Sequence, residues 1–496
     1  ARAVAPGRRL VAAFQPLLHS RVQRLQDEFA ESLALADLVL LLDVDDDGES
    51  ARSAGSAAIA AGLRRHGITV IQRGDADDLV HHARSDLLAG DVLLVMGGAG
   101  MAGVAQRLHR QLAEEASPVS SVPAATLAPQ HWTRRLTQVW RSRETFVALF
   151  RVAARAHPDA PALLGRDGTF SYAELDRASD ELAAGLATRG WSDAVVGVAL
   201  PLGAELIVSL LGVMKAGSTY LPLDLALPDA RRTYMLEQAG AAAIIARDTT
   251  VAAVPVMSPT RLRAIGGAVP SGPRGGSGAY ICFTSGSTGY PKGVCIHQSA
   301  LAALLRDTVT RFGLRPGARM LLNTSIGFDV SLAEICGTLA GGGALAVDGA
   351  RPLGGGRLAD ALEQLAVTHL SITPSLLASA RPRALPQLRC IVACGEPCPP
   401  ELVADWGAGR HFFNVYGPTE ATIYATAALC EPGADITIGT ALGHVEVHVL
   451  DEALQPVPAG ELGELCLAGT GVSAGYIGRP EETAGRFVQA RIGRRV

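Results

Sequence analysis

One lysine closes a short stretch of the chain that is otherwise rich in glycine and hydroxyl side chains. The stretch, YICFTSGSTGYPKGV, starts with apolar residues typical of a buried strand and continues as an exposed loop up to Lys292. Backbone amides that glycines leave accessible can wrap an anion, together with hydroxyl groups and the positive charge of a lysine. The sequence therefore predicts a phosphate-binding loop. Its candidate ligands are Thr284, Ser285, Gly286, Ser287, Thr288, Gly289 and Lys292.

Two features of the loop narrow this interpretation. It is not a Walker loop, because that pattern needs a Ser or Thr after the lysine at the start of a helix, whereas Pro291 and Gly293 flank Lys292 here. Only Lys215 and Lys292 are lysines among the 44 basic residues, so a lysine kept in this loop suggests a slim point charge rather than the planar arginine fork. Lys215 itself is expected to be an ordinary surface residue. The alternative for the loop is a flexible surface segment without a ligand.

The overall composition excludes several classes of protein. A formal net charge of −4 provides no basic surface for a nucleic-acid partner. No run approaches the ~18 apolar residues of a membrane span, so the chain is expected to be cytoplasmic, with no membrane partner. The eight cysteines, all between Cys282 and Cys466, lack CxxC pairs and disulfide-module spacing, which fits a reducing compartment.

The length of 496 residues is too great for one ordinary hydrophobic core, so at least two domains are expected. Residues 1–112 alternate apolar runs with helix-forming sequence, which predicts a small Rossmann-like α/β domain with a parallel sheet. Residues 113–143, rich in Ala, Ser, Pro and Gln, are predicted to be a linker. Residues 144–496 form a larger α/β segment. Its part at about 435–467 has short β runs and turn residues, as in a small β-barrel lobe.

Several motifs of the larger segment resemble those of the adenylate-forming superfamily, and specifically the adenylation domains of nonribosomal peptide synthetases. In chain order they are FSYAEL, MKAGSTYLPLD, the phosphate loop, FDVSLAE, NVYGPTE and GELCLAGTGVSAGYIGRPEETAGRF. The resemblance covers about residues 144–496. It implies the N-terminal core subdomain of such a domain, with two α/β sheets layered with helices plus a small β-barrel lobe. It also implies ATP and Mg²⁺ as cofactors and an amino acid as substrate.

The resemblance assigns the nucleotide and metal roles residue by residue. The loop would close over the β- and γ-phosphates of ATP, and Tyr416 would offer a flat face to adenine. Thr419 would touch the α-phosphate, and Glu420 would ligate Mg²⁺, which prefers hard oxygen ligands. The residues expected to act in catalysis are Thr288, Lys292, Thr419 and Glu420. The nucleotide site outside the loop is expected to comprise Gly395, Glu396, Asn414, Tyr416, Gly417 and Thr419.

Asp329 in FDVSLAE decides the substrate class that the resemblance implies. In amino-acid-activating members the equivalent aspartate pairs with the α-ammonium of the substrate, whereas acyl-CoA synthetases need no anion there. Burying an ammonium group without a partner would be costly, so an α-amino acid is expected rather than a fatty acid. The alternative for Asp329 is a helix-capping residue in a turn.

The residues that line the substrate pocket in the family can be matched to positions of this sequence through the shared motifs. Its lining has no second charge beside Asp329, and Ala333 leaves depth, so a neutral and sizeable apolar or aromatic amino acid is expected. The pocket residues are Asp329, Val330, Ala333, Ser371, Val392, Cys394, Val415, Ile423 and Tyr424.

Residues 1–112 resemble the C-terminal domain of the Mur ligases, closest to the branch that adds the first amino acid to the peptidoglycan precursor. The matching stretches are LVAAFQPLLHSRVQRLQDEFAESLALADLVLLLDV and GDVLLVMGGAGMAG. The motif departs from the family pattern, since Leu17 and Leu18 follow FQP where the family has His and Arg. This domain is therefore expected to be a scaffold or docking module.

The leading hypothesis for the whole chain is an enzyme that forms an aminoacyl adenylate and loads it onto the phosphopantetheine thiol of a carrier protein. An MbtH-like activator is a further partner that the resemblance allows. The sequence ends before the family's Tyr-x-Thr-Gly-Asp segment, hinge and lysine-bearing C-terminal lid, so a fragment of a longer synthetase is expected, with a degenerate member as the alternative. The rival function is a non-catalytic ligand-binding or docking module, and Asp329 disfavours acyl-CoA synthesis.

Overall fold

The chain is described by a computed structural model and forms two compact units. The predicted linker at 113–143 and the loop residues 285–290 lie outside the part of the chain that the structure describes. The described residues are 9–15, 30, 33–34, 36–42, 54–73, 78–82, 87, 92–96, 144–165, 168–247, 254–284, 291–349, 353–458 and 460–488.

The first unit is built on a parallel sheet. Its strands are β1 Leu10–Phe14, β2 Leu38–Leu42, β3 Thr69–Arg73 and β4 Val92–Met96, in the order β3-β2-β1-β4. On one face Val39 packs with Ile59 of helix α1 (Ala54–Arg65), and on the other Leu40 packs with Leu79. Strands covered on both faces read as continuous apolar runs, as LVAAF and LVLLL do. The predicted parallel sheet is confirmed, whereas the likeness of this unit to a Mur ligase domain stays a prediction.

The second unit alternates strands and helices, as predicted for the larger segment. Its strands are β5 Pro161–Gly165, β6 Gly168–Ser171, β7 Val195–Ala199, β8 Thr219–Pro222, β9 Ala243–Ala246, β10 Val256–Met257, β11 Gly278–Thr284, β12 Lys292–His297, β13 Arg319–Leu321, β14 Ala344–Val347, β15 His369–Ile372, β16 Cys390–Cys394, β17 His411–Tyr416, β18 Thr426–Cys430, β19 Thr440–Ala441, β20 Glu446–Leu450 and β21 Glu464–Ala468. Its helices are α2 Phe146–Ala156, α3 Tyr172–Thr188, α4 Ala204–Lys215, α5 Asp229–Ala239, α6 Pro259–Ile265, α7 Gln298–Phe312, α8 Val330–Gly341, α9 Gly355–Gln364, α10 Pro374–Ala378, α11 Pro400–Trp406 and α12 Pro480–Arg486, with a 3-10 helix at Thr419–Ala421.

Two large sheets organise these strands. The first has six strands in the order β10-β9-β7-β8-β11-β12, and its last pair is antiparallel. The second has nine strands in the order β19-β18-β17-β16-β15-β13-β14-β5-β6, parallel in its centre and antiparallel at both edges. The apolar runs YICFTS, HLSITP and RCIVACG, predicted as strands, are β11, β15 and β16. The two-sheet α/β architecture is therefore confirmed.

One apolar core joins the two sheets. Tyr280 and Val294 of the six-stranded sheet belong to the same cluster of buried side chains as Val392 and Val415 of the nine-stranded sheet. Helix α8, with the sequence VSLAEICGTLAG, contributes to this core and is buried along most of its length. A helix that is apolar nearly all round belongs in an interior. Its burial fixes the position of Asp329, which directly precedes it.

The small β-barrel lobe expected at about 435–467 is not formed by the residues that the structure describes. Strands β20 and β21 pair only with each other, as an antiparallel ribbon with Glu446 opposite Ala468. The connection between them makes one isolated bridge, Leu450 to Pro456, and contains a second proline, Pro458. Prolines cannot donate to a ladder, so this connection supplies no third strand, and two strands cannot close into a barrel.

Two further observations concern the chain's environment. No helix in the described ranges combines the length and the apolar character that crossing a lipid bilayer would require. All eight cysteines lie within these ranges as free thiols, and six of them are buried.

Lys215 is not the surface residue that the sequence suggested, because the fold buries it completely. Its Nζ lies 2.5 Å from Asp176 Oδ1 and 2.8 Å from Asp180 Oδ1, and 5.3 Å from the centroid of the Phe150 ring. Asp176 and Asp180 stand one turn apart on α3, so both carboxylates converge on the ammonium group at the end of α4. Arg151 also contacts Asp180, at 3.2 Å. The helix spacing of the two acids was visible in the sequence, but their partner was not.

Replacing Lys215 by Met is expected to destabilise the second unit by about 2 to 4 kcal/mol, because two converging carboxylates lose their buried cation. The measurement is the free energy of unfolding in urea. Arg383→Met is the matched control, since Arg383 also contacts two acids, Asp360 and Glu363, but all three side chains are exposed. Its loss should cost less than about 1 kcal/mol. Equal losses from the two variants would contradict the role of Lys215 as a buried structural cation.

Candidate functional site

The base of the predicted phosphate loop is an antiparallel strand pair. Thr284 ends β11 and lies directly opposite Lys292, which begins β12. The two residues that bound the loop are therefore neighbours in the sheet, which is the geometry that a tight anion-binding loop needs. The other five loop ligands fall outside the described residues and stay predictions: Ser285, Gly286, Ser287, Thr288 and Gly289.

Lys292 contacts an acid and an aromatic ring. Its Nζ forms an ion pair with Glu482 of α12 and lies 5.0 Å from the centroid of the Tyr476 ring. Glu482 also accepts a hydrogen bond from Arg479 at 2.6 Å, and the two cations hold the pKa of the Glu482 carboxyl below its ordinary value. The Lys292 ammonium group is thus already stabilised by one anionic oxygen, the type of partner that a phosphate would also supply.

Glu420 and Thr419 lie side by side in the 3-10 helix that follows β17. Glu420 Oε1 accepts a hydrogen bond of 2.6 Å from the Tyr476 hydroxyl. Burial and the Glu420 carboxylate raise the pKa of Tyr476, so its hydroxyl remains a donor at neutral pH. The side chain of Thr419 is hydrogen-bonded to Asp329. In the described ranges no group of three or more His, Cys, Asp or Glu side chains is placed to hold a metal ion.

Asp329 is a buried carboxylate that lacks a full set of partners. It precedes α8, yet its side chain makes no hydrogen bond that caps the helix, and Oδ2 is buried without any hydrogen-bond partner. Burial raises the pKa of the Asp329 carboxyl to about 6, and hydrogen bonds from the Thr419 side chain and the Val330 amide oppose part of this shift. Asp329 thus occupies the N-cap position of α8 without a side-chain capping bond, and its role as the ammonium partner stays a prediction.

A short chain of contacts connects Lys292 with Asp329. Lys292 lies beside the Tyr476 ring, the Tyr476 hydroxyl bonds Glu420, and the neighbouring Thr419 bonds Asp329. The candidate phosphate-binding lysine and the candidate ammonium-binding acid thus lie in one region of the second unit. Tyr476 lies between Lys292 and Glu420, the proposed metal ligand. Thr419, the neighbour of Glu420, contacts Asp329.

The predicted substrate-pocket residues converge on the core next to Asp329. Ser371, Val392, Cys394 and Val415 lie on the adjacent parallel strands β15, β16 and β17, and all four are buried. The Ser371 hydroxyl lies 3.3 Å from that of Tyr424 and 3.8 Å from Cys394 Sγ, which forms one small polar patch in an apolar surrounding. The same core cluster contains, or is packed against by, Val330, Ala333, Val392, Cys394, Val415, Ile423 and Tyr424.

The turn that carries two of these residues has a strained backbone. Thr422 and Ile423 adopt φ values of 60° and 67°, and the Tyr424 amide donates to the Thr422 carbonyl at 2.8 Å. Positive φ is a genuine outlier for β-branched residues, and a γ-turn of this hand is rare. A Cβ at Gly417 would lie 2.4 Å from the Ile423 carbonyl oxygen, so glycine there lets the turn pack against the end of β17. Sequence patterns gave no sign of this turn.

The remaining nucleotide candidates cluster at the carboxyl ends of β16 and β17, the sheet edge where α/β proteins bind ligands. Tyr416 ends β17 with 40% of its surface exposed, and Gly395 follows β16 with φ of +81°. The Glu396 carboxylate accepts hydrogen bonds from the amide and hydroxyl of Ser375, both at 2.8 Å. Asn414 is buried and donates to the Thr437 carbonyl at 2.8 Å. Nucleotide contacts by these residues stay predictions.

Comparison with known proteins points to one family. Residues 150–477 match the family of AMP-binding enzymes. Bacitracin synthase 3 of Bacillus licheniformis is 36% identical over 358 residues, which are 70% of this chain and only 6% of that relative.

Two solved structures are also similar to the chain. The N-terminal subdomain of Klebsiella oxytoca NpsA in complex with 3-hydroxybenzoyl-AMSN is similar at 28% identity over 71% of the chain and 92% of that subdomain, with a TM-score of 0.64. Holo-PA1221, an NRPS protein containing adenylation and PCP domains, is similar at 26% identity over 72% of the chain and 64% of that protein, with a TM-score of 0.66.

Replacing Asp329 by Asn is expected to stabilise the chain at pH 8 by about 2 to 3 kcal/mol, because the buried carboxylate no longer has to be ionised. The folded-state pKa is raised to about 6 from 3.8, so ionised Asp329 costs stability above pH 6 and this cost falls away as the pH drops towards 3.8. The gain should therefore shrink to about 1 kcal/mol or less near pH 4.5. Denaturant unfolding at both pH values measures it.

Asp405→Asn is the control for this measurement, since Asp405 is exposed on α11 and its replacement should change stability by less than about 0.5 kcal/mol at either pH. A stabilisation by Asp329→Asn that is equal at pH 8 and pH 4.5 would show that ionisation of Asp329 is not its cause.

Proposed function

The chain belongs to the family of AMP-binding enzymes, and on that premise we propose that it activates an α-amino acid with ATP. The carboxylate of the amino acid attacks the α-phosphorus, the bond to the bridging oxygen of the β-phosphate breaks, and pyrophosphate leaves. The product is an aminoacyl adenylate, and no covalent bond to the protein forms in this step. Alignment of the two substrates and fixed charges around the phosphates supply the catalysis.

The observation that carries this proposal is the unpartnered Oδ2 of Asp329. A buried carboxylate oxygen without a hydrogen bond costs free energy in the protein alone. An α-ammonium group would supply both the missing donor and the opposite charge. A fatty acid has no such group and would leave Asp329 unpaired, which supports an amino acid as the substrate.

The pocket residues support a neutral side chain on the amino acid. Beyond Asp329 the predicted lining offers aliphatic groups and the polar patch of Ser371, Cys394 and Tyr424, with no second charge among its members. A charged side chain would lose its hydration there, and no member of the predicted lining other than Asp329 carries a charge that could offset that loss. Ala333 is small enough to leave depth, so we propose a sizeable apolar or aromatic amino acid.

The residues present fit a magnesium ion that is shared with the nucleotide. Mg²⁺ commonly takes one or two carboxylates and completes its shell with phosphate oxygens and water. The Tyr476 hydroxyl engages Oε1 of Glu420, which leaves Oε2 of the same carboxylate to ligate the ion. When bound, Mg²⁺ offsets the negative charge of the phosphates. Lys292 and Thr284 at the base of the loop would hold the β- and γ-phosphates, and Thr419 would contact the α-phosphate.

The partners of the whole protein follow from the same premise. The chain spans 6% of the length of the bacitracin synthase relative, so the wider assembly is inferred by likeness alone. The similarity to an NRPS protein with adenylation and PCP domains supports transfer of the aminoacyl group to a carrier-protein thiol. We further propose a cytoplasmic location, an MbtH-like activator as a partner, and a docking role for the parallel-sheet unit at residues 1–112.

Pyrophosphate exchange with a panel of amino acids tests this function. The chain, and a longer chain that carries the family's C-terminal lid, are each expected to exchange label with neutral, sizeable amino acids and not with Lys, Arg, Asp or Glu. Asp329→Ala should lower kcat/KM for the preferred amino acid by at least about 30-fold, because truncating one partner of a buried charge pair costs about 2 to 5 kcal/mol. The affinity for ATP should change less than about twofold.

The des-amino analogue of the preferred amino acid serves as the matched substrate control. It should not be activated by the unaltered protein. If the analogue supported exchange at the same rate as the amino acid, Asp329 would not be the partner of the ammonium group. ATP binding without exchange from either chain length would favour a non-catalytic ligand-binding module instead.

A further inference from the structure

A short segment that has no role in the predicted site connects Glu420 with Lys292. Residues 473–477 run between the 3-10 helix that carries Glu420 and strand β12, which begins at Lys292. None of these five residues is among the predicted ligands of nucleotide, metal or amino acid. Their contacts with both sides of the site are nevertheless specific.

On the Glu420 side the segment holds both the backbone and the side chain. The Ser473 amide donates to the Glu420 carbonyl at 2.7 Å, and the Tyr476 hydroxyl donates to Glu420 Oε1 at 2.6 Å. Two bonds from one short segment fix the direction of the carboxylate, because rotation of the side chain would break the bond to Oε1. Oε2 is thereby held in one orientation.

On the Lys292 side the same segment is attached to the strand itself. The Ile477 amide donates to the Gly293 carbonyl at 2.9 Å, and Tyr476 forms an antiparallel bridge with Val294. The ring of Tyr476 lies 5.0 Å from Lys292 Nζ, within the range of a cation–π contact. One side chain therefore touches the carboxylate with its hydroxyl group and the ammonium group with its ring.

The ring of Tyr476 is itself held in place. The backbone amide of Tyr476 donates to Thr483 Oγ1 at 3.0 Å, and Phe487 packs edge-on against the ring with 5.6 Å between the ring centroids. A side chain fixed in this way can orient the groups that it touches.

We propose that Tyr476 is a positioning residue: its hydroxyl aims the Glu420 carboxylate at the metal ion, and its ring holds Lys292 towards the phosphates. This inference rests on the proposed function, since it assumes a nucleotide and a metal at the site. Partners of this kind commonly set metal affinity, and their loss weakens it by about 10- to 100-fold.

Calorimetric titration with ATP alone, without an amino acid, separates the effect of the Tyr476 hydroxyl on Glu420 from the effect of its ring on Lys292. Tyr476→Phe keeps the ring and removes the hydroxyl, so ATP should bind about 10- to 100-fold more weakly with Mg²⁺ present, while binding in EDTA stays unchanged. Tyr476→Leu removes the ring as well, so ATP should also bind about two- to fivefold more weakly in EDTA.

Tyr234→Phe is the matched control. The Tyr234 hydroxyl accepts a hydrogen bond of 2.9 Å from Arg479, which belongs to the same network, and it is not a partner of Glu420 or Lys292 in the described structure. Its loss should leave both ATP affinities within about twofold of the unaltered protein. Melting temperatures of all three variants establish that each is folded.

Three results would overturn the inference. They are an equal loss for Tyr476→Phe with Mg²⁺ and in EDTA, no loss in either condition, or a loss as large for Tyr234→Phe. Failure of the proposed function looks different. In that case Tyr476→Phe would still weaken ATP binding only when Mg²⁺ is present. The unaltered protein, however, would exchange pyrophosphate with no amino acid.

Discussion

The site depends on keeping one carboxylate, Asp329, away from water without giving it a full set of partners. An isolated ionised acid in an interior is unstable, and the raised pKa of Asp329, about 6, expresses that cost. The fold imposes this burial through α8, an apolar helix buried along most of its length, directly after Asp329. The Thr419 side chain and the Val330 amide relieve part of the cost with hydrogen bonds. Under the proposed function, the remaining cost is the free energy that a substrate ammonium group would recover on binding.

The second constraint is that the chemical groups come from two different sheets. Lys292 belongs to the edge of the six-stranded sheet, whereas Thr419 and Glu420 follow a strand of the nine-stranded sheet. A shared apolar core joins the sheets, but apolar contacts are not directional and cannot set the angle between a lysine and a carboxylate. Directional contacts are needed for that purpose, and residues 473–477 supply them with hydrogen bonds to both sides.

Features with a local sequence pattern could be predicted, whereas features that depend on contacts between distant parts of the chain could not. Apolar runs such as YICFTS and HLSITP gave the strands correctly, because burial on both faces leaves a local signature. The phosphate loop, Asp329 and Glu420 could be proposed because they stand in short motifs, and their roles stay predictions. Lys215 was misjudged and Tyr476 was missed, since their partners lie far along the chain and no local pattern reports a contact at such a distance. Among the described residues the expected β-barrel lobe is not formed for a different reason: its β runs are strands, but the prolines between them add no third strand.

The turn at Thr422 and Ile423 shows how these constraints meet. Two β-branched residues with positive φ are unfavourable by about 1 to 3 kcal/mol each. Such a conformation persists only where its neighbours leave no alternative, and here the Thr422 hydroxyl bonds the Gly471 carbonyl at 2.5 Å while Gly417 lets the turn pack closely. Because the turn links Glu420 to Ile423 and Tyr424, relaxing it would move the proposed metal ligand and the proposed pocket wall together. The strained turn therefore ties the position of Glu420 to the positions of Ile423 and Tyr424, and so links the proposed metal site to the proposed pocket.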